Sequence, residues 1–135
     1  MRSKEKHIKA KEAYTLGLNS AKKTKTFNAP LSEVWEALLK SVSNLRFRTE
    51  YVDEAKGVII FSSGFSLLSS GTRFGFKLNE SGKNLTEAIG KAKAKGIALI
   101  DYGRSGRELD KVFSSMESLL KQPAMDARGQ NKNEL

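Results

Sequence analysis

The stretch from Thr24 to Ser63, TKTFNAPLSEVWEALLKSVSNLRFRTEYVDEAKGVIIFSS, writes strand, helix, strand and strand within 40 residues. A short alternating run reaches Asn28, Pro30 opens an amphipathic helix, and two strand-like runs flank a turn around Glu54–Gly57. A helix set between a first strand and an antiparallel meander excludes most small folds.

The helix has clear local logic. Pro30 suits the first turn, where its missing N–H has no intrahelical partner anyway. Glu33 lies near the positive end of the helix dipole. Val34, Leu38, Val42 and Leu45 recur at helical spacing, and Trp35 and Leu39 widen that stripe, so Trp35 reads as core. Glu36 and Lys40 pair at i,i+4 on the wet side.

Strand signals follow. In Arg46–Val52, Phe47, Thr49 and Tyr51 alternate with Arg46, Arg48 and Glu50, which assigns the second set to water. Val58–Phe61 is apolar on both faces and reads as a more central strand. Gly71–Glu80 sets Phe74, Phe76 and Leu78 opposite Arg73, Gly75 and Lys77, and Asn79–Lys83 reads as the hairpin turn. Leu85–Lys95 then places Thr86, Ala88, Gly90, Ala92 and Ala94 on one side, with Glu87, Ile89, Lys91, Lys93 and Lys95 on the other. A row of small side chains lets another element approach closely. The last helix fits, from Ser105 to about Lys121, with Leu109, Val112, Phe113, Met116, Leu119 and Leu120 in one stripe. The expected fold class is α+β, ordered β-α-β-β-β-β-α, with a curved, mainly antiparallel sheet and both helices packed on one face. The sequence leaves the pairing of the first strand open.

A chain of 135 residues is one domain on size alone. The expected division is a basic flexible arm over 1–23, a globular domain over 24–122 and a disordered tail over 123–135. Hydrophobic and charged contents of 39% and 29% are ordinary for a soluble protein. No apolar run approaches the ~20 residues that span a bilayer. The start, MRSKEKHIKAKEAY, has no apolar signal core, and the chain has no cysteine, so the expected compartment is the cytoplasm and the expected state a monomer. The final KNEL loosely resembles a retrieval signal of the endoplasmic reticulum, a coincidence where no signal core precedes it.

The net charge of +9 is unevenly placed. Residues 1–27 carry eight Lys or Arg against Glu5 and Glu12, residues 28–122 carry fourteen basic against eleven acidic, and residues 123–135 balance two against two. Most of the surplus therefore lies on the arm, which acts either as a solubilising extension or as a contact for nucleic acid or an anionic membrane.

Candidate chemistry is sparse. His7, on the arm, is the sole histidine, so histidine-based acid–base work and a Ser-His-Asp arrangement lack a rigid imidazole. Without cysteine, a zinc or other transition-metal site lacks ligands. Glu33 with Glu36, Asp53 with Glu54, and Glu108 with Asp110 read as solvated pairs. Ser81–Asn84, SGKN, lacks the upstream glycine and the hydroxyl of a phosphate loop. In Asp101–Leu109, Asp101 can pair with Arg104 and Arg107, or the two arginines and the helix N-terminus can hold an anion. The expectation is no enzyme, no cofactor and no metal. Asp101 with Tyr102 and Arg104 is the place to look for an exception.

Two features stand out. Gly64–Gly71 places Phe65, Leu67 and Leu68 in a connection, where they either plug the open end of the core or line a pocket mouth. Lys91, Lys93 and Lys95 form a basic row, near Arg46 and Arg48, suited to phosphate. Base stacking needs exposed aromatics on that face, and alternation assigns Tyr51 to the other.

FNAPLSEVWEALLKSV resembles the opening of helix-grip proteins, the Bet v 1-like and START-related superfamily, where a strand ending in Ala-Pro enters a helix carrying Val-Trp. YVDEAKGVIIF is similar to that superfamily's second and third strands. The element order is equally similar to the TATA-binding-protein-like fold of small bacterial domains of unknown function. The resemblance covers Thr24–Lys121 and carries over no catalytic residue. Together with the apolar connection, it implies a non-catalytic module for a small apolar or amphipathic ligand, with Phe65, Leu67, Leu68 and Met116 as the candidate contacts. The alternatives are an electrostatic binder of nucleic acid or an anionic membrane, using Arg2–Lys25 with the Lys91, Lys93 and Lys95 row, and a protein–protein interaction domain; Arg104 and Arg107 stay separate candidates for an anion.

Overall fold

The computed structural model describes residues 20–64, 71–95, 104–122 and 124–126. Strand β1 (Ser20–Phe27) leads into helix α1 (Leu31–Asn44). Strands β2 (Arg48–Asp53), β3 (Val58–Ser62), β4 (Thr72–Gly82) and β5 (Leu85–Ala94) follow, then helix α2 (Arg104–Leu120) and a two-residue strand β6 (Met125–Asp126). The sheet order is β2-β3-β4-β5-β1-β6, antiparallel at every pairing. The expected α+β arrangement is therefore observed, and β1 crosses over to lie beside β5, the pairing that alternation alone could not assign. Closing one edge this way leaves β2 as the long outer strand.

Both helices cover one face. Val34, Leu38 and Val42 of α1 and Leu109, Val112, Phe113 and Met116 of α2 are buried with Phe27, Ile59, Phe61, Phe74, Phe76 and Leu78 of the sheet. Pro30 stands just before α1, and its carbonyl accepts the Glu33 and Val34 N–H groups at 3.0 and 3.1 Å. Both helices end alike. After α1, Arg46 takes φ 60° while Phe47 N–H reaches back to the Val42 carbonyl; after α2, Lys121 takes φ 57° while Gln122 N–H reaches the Glu117 carbonyl. These are Schellman closures with a basic residue where glycine is usual.

Four expectations need correction. The hairpin turn is not Asn79–Lys83: β4 continues to Gly82 through an irregularity after Glu80, and the turn falls at Lys83–Asn84, with Asn84 at φ 53°. Asparagine tolerates that left-handed backbone, so the turn moves to it. The arm does not extend to residue 23, because β1 begins at Ser20. Lys23 and Lys25 share a parity with Phe27 and so face α2: Lys23 pairs with Asp110, and Lys25, 5% exposed, holds its Nζ 5.3 Å from the Phe113 ring centre. Nor is the segment after 122 wholly tail. Met125 and Asp126 pair with Thr26 and Lys25, and the Ala124 N–H donates to the Glu117 carboxylate at 2.8 Å. The remaining residues of the arm and tail, His7 included, lie outside the described residues.

The fourth correction concerns Tyr51. Thr49 pairs with Phe61, yet Tyr51 pairs with Ile60, so Glu50 is an extra residue and the strand bulges. A bulge of one residue reverses the face that the following side chains adopt. Tyr51 therefore joins Ile60 on the face turned away from the helices.

Candidate functional site

Three places on the fold collect functional side chains. The first is the end of the sheet where β3 stops, β4 starts and α2 begins. Phe47, Phe61 and Phe74 stack there, with ring centres 4.9–5.7 Å apart. Phe47 is the half-buried member of the trio, and Phe61 and Phe74 are closed from solvent. Two positions before Phe74 on β4, the Thr72 hydroxyl donates to Glu108 Oε1 of α2 at 3.2 Å, and the Ser63 hydroxyl accepts the Thr72 N–H at 2.7 Å. Ser105, one turn before Glu108, is also buried. An apolar wall with a few placed polar groups has the composition of a small-molecule site. The connections 65–70 and 96–103 both depart from this end, at Gly64, Gly71, Lys95 and Arg104.

Farther along α2 the same layer is closed. Gly90 lies against Phe76 and Leu109, and Met116 is fully buried. Eight residues separate Glu108 from Met116, about 12 Å along the helix axis. The structure thus assigns Met116 to the closed core, well away from where the 65–70 connection is anchored. Phe65, Leu67 and Leu68 themselves lie outside the described residues, as do Asp101 and Tyr102.

The second place is an open cleft of about 770 Å³ at the start of α1, lined by Leu31, Glu33, Trp35, Glu36, Glu54 and Glu80 among others. Trp35 is core, as its helical spacing indicates, but its indole N–H emerges to donate to Glu54 Oε1 at 3.1 Å. Among the described residues no three carboxylates converge closely enough to hold a metal ion. The cleft is acidic, and its carboxylates are exposed.

The third place is the helix-free face of the sheet. Lys91 and Lys93 project from β5 there, exposed, and Lys95 follows, half-buried. Arg104 and Arg107 stand on α2, across the sheet, so the five basic residues singled out in the sequence do not form one site. Arg73 of the same outer face holds Glu50 at 2.9 Å. The Ser62 hydroxyl, and then Arg73, hold the Glu50 carboxyl below its ordinary value. Sequence reasoning finds the lysine row but misses its companions Lys22 and Tyr51, because one falls within the expected arm and the other is moved by a bulge.

The antiparallel sheet, with α1 inserted after β1 and α2 laid across the same face, decides the fold. The crystal structure of Ara h 8.0201, a Bet v 1-like protein, superposes with a TM-score of 0.54 at 13% identity, covering 78% of this chain and 100% of that one. This is the helix-grip fold. The crystal structure of the Zhui aromatase/cyclase from Streptomyces sp. R1128 is similar over 76% of this chain and 84% of that one, with a TM-score of 0.38 at 13% identity. No family model matches the chain, and no curated protein matches it. At such identities the helix-grip likeness establishes architecture alone. No helix among the described residues is long and apolar enough to cross a membrane.

Proposed function

We propose that this helix-grip domain is a non-catalytic binding module for a small apolar or amphipathic ligand. The ligand sits at the Thr72–Glu108 end of the layer between the sheet and α2, the end where Gly64 and Gly71 flank the connection that carries Phe65, Leu67 and Leu68. One observation supports this reading above the others: the half-buried Phe47 with its stacked partners, and the Thr72–Glu108 hydrogen bond, both lie at the end of the layer where the two connections are anchored. The apolar body of a ligand would lie on the phenylalanines and its polar end on Glu108 and Thr72. The closed packing at Gly90 limits how deep a ligand can reach, so it is small or partly exposed. The non-catalytic part of the reading rests on residue types, since the chain has one histidine and no cysteine.

Native mass spectrometry of the full chain with added lipid extract tests the proposal. A mass adduct is expected, together with amide shift changes at Phe47, Thr72 and Glu108 and little change at Met116. An absent adduct with unmoved Phe47 and Thr72 resonances overturns it.

A further inference from the structure

The face of the sheet away from the helices carries a charge arrangement that the fold itself disfavours. Register sets Lys22 directly opposite Lys91 and Arg73 directly opposite Lys93. Like charges facing each other across neighbouring strands are destabilising. All four side chains are exposed, and Arg48 continues the Arg73–Lys93 row across Ser62. Among the described residues, a carboxylate set among these cations is Glu50, held by Arg73. Asp53 lies in the next row with Lys77, and Glu87 lies farther still toward the hairpin end.

The same face offers a shelf for a flat ring. Tyr51, Ile60, Gly75, Lys91 and Lys22 form one cross-strand row. A side chain at Gly75 would meet nothing within 4 Å, so the backbone there is open to close approach. Tyr51, turned to this face by the bulge, is 50% exposed. The large exposed apolar residues among those described are Tyr51, Val52 and Leu119, and of these only Tyr51 is on the basic face. Register sets Val52 on the opposite face, opposite Ile59, and Leu119 belongs to α2. An anionic bilayer would satisfy the cations, but aliphatic side chains on this face among the described residues, Val58, Ile60 and Ile89, are half-buried between the charged ones and offer little to insert. A single strand of nucleic acid uses both features, with phosphates on the lysines and a base on the tyrosine.

We propose that the outer sheet face binds single-stranded nucleic acid, with Lys22, Lys91, Lys93 and Arg73 on phosphates and Tyr51 stacked on a base. The site lies on the opposite face from the small-ligand site and stands without it. It also carries an unusual signature: a substitution that relieves the Lys22–Lys91 repulsion stabilises the free protein while it weakens binding.

Fluorescence anisotropy of the full chain with labelled oligothymidylate and oligouridylate tests this, with the corresponding duplex and phosphatidylglycerol vesicles alongside. Single strands are expected to bind more tightly than duplex, with affinity falling steeply as salt rises. Lys91→Glu is expected to weaken binding about tenfold or more, to reduce the salt slope by about 0.7 for each phosphate no longer neutralised, and to raise the melting temperature. Tyr51→Ala is expected to weaken binding at least about fivefold and leave that slope unchanged. Should Lys91→Glu fail to fold, Lys91→Ala gives the same reading with a smaller loss. The proposal is overturned if no single strand binds at low salt, or if vesicles bind and oligonucleotides do not. It is equally overturned if Lys22→Glu and Lys91→Glu both leave affinity intact, which would assign the binding to residues 1–19.

Discussion

Gly90 sits directly opposite Phe76 on the neighbouring strand, so close that a methyl group on it would lie 2.8 Å from the ring's Cζ and 3.0 Å from Leu109 Cδ1 of α2. Backbone, ring and helix share one site there. Gly90→Ala is therefore expected to cost about 1–3 kcal/mol, because ring and helix must both move. Urea unfolding measures it. An unchanged midpoint would mean that the Phe76 ring rotates aside at no cost.

That close approach is legible in the sequence, and its neighbours show why other features are not. The run Thr86, Ala88, Gly90, Ala92, Ala94 has period two and small volume, which marks a strand face covered by a close-lying helix. The stripes of α1 and α2 are equally plain, since a buried helical face repeats over several turns. Alternation assigns Tyr51 to the wrong face because one extra residue in β2 reverses every later position, and nothing about Glu50 marks it as that residue. Lys23 misleads by its charge, which places it at the end of the expected arm, although its parity with Phe27, shared by Lys25, points inward. The pairing of Gln122 with Asn28, in which the side-chain amide accepts the Asn28 N–H at 3.2 Å and donates to its carbonyl at 3.1 Å, joins residues 94 positions apart and leaves no local trace. The aromatic end at Phe47, Phe61 and Phe74 is visible as separate strand residues; their stacking, and the bond from Thr72 to Glu108 of α2, require the tertiary fold.

The two helix ends supply a second prediction. Arg46 and Lys121 hold left-handed backbones, which cost a non-glycine residue about 1–2 kcal/mol. Arg46→Gly and Lys121→Gly should each stabilise the domain by about 1 kcal/mol, less the extra freedom that glycine gives the unfolded chain. The two gains should add, because the sites close different helices. Thermal unfolding of both single variants and the double variant checks this. A lowered melting temperature in either would show that the basic side chain makes an interaction worth more than the backbone strain.

Glu50 gives a pH dependence with a defined sign. Its carboxyl is held below its ordinary value first by the Ser62 hydroxyl, then by Arg73. A carboxylate depressed in the folded state contributes stability that is complete above the unfolded value and disappears as pH falls through the folded one. Ser62→Ala and Arg73→Ala should each raise the Glu50 midpoint, narrowing that acidic window. Carbon-detected NMR titration of the side-chain carboxyl follows it directly. A midpoint that stays put in both variants would exclude these two groups as the cause.

Ser41 lies inside α1, fully buried, and its Oγ has no hydrogen-bond partner among the described residues. A buried hydroxyl without a partner costs about 1–3 kcal/mol of desolvation, and alanine is the better helix former. Ser41→Ala should therefore stabilise the domain by up to about 1 kcal/mol, since the small void left by the oxygen takes back part of the gain. Ser41→Val should do worse despite being apolar, because a branched side chain crowds the preceding turn of the helix and its packed neighbours Leu38 and Val42. Chemical unfolding of the pair separates the two effects. A loss of stability in the alanine variant would mean that the hydroxyl donates to the carbonyl one turn back, as serines inside helices do, and that this bond outweighs the burial.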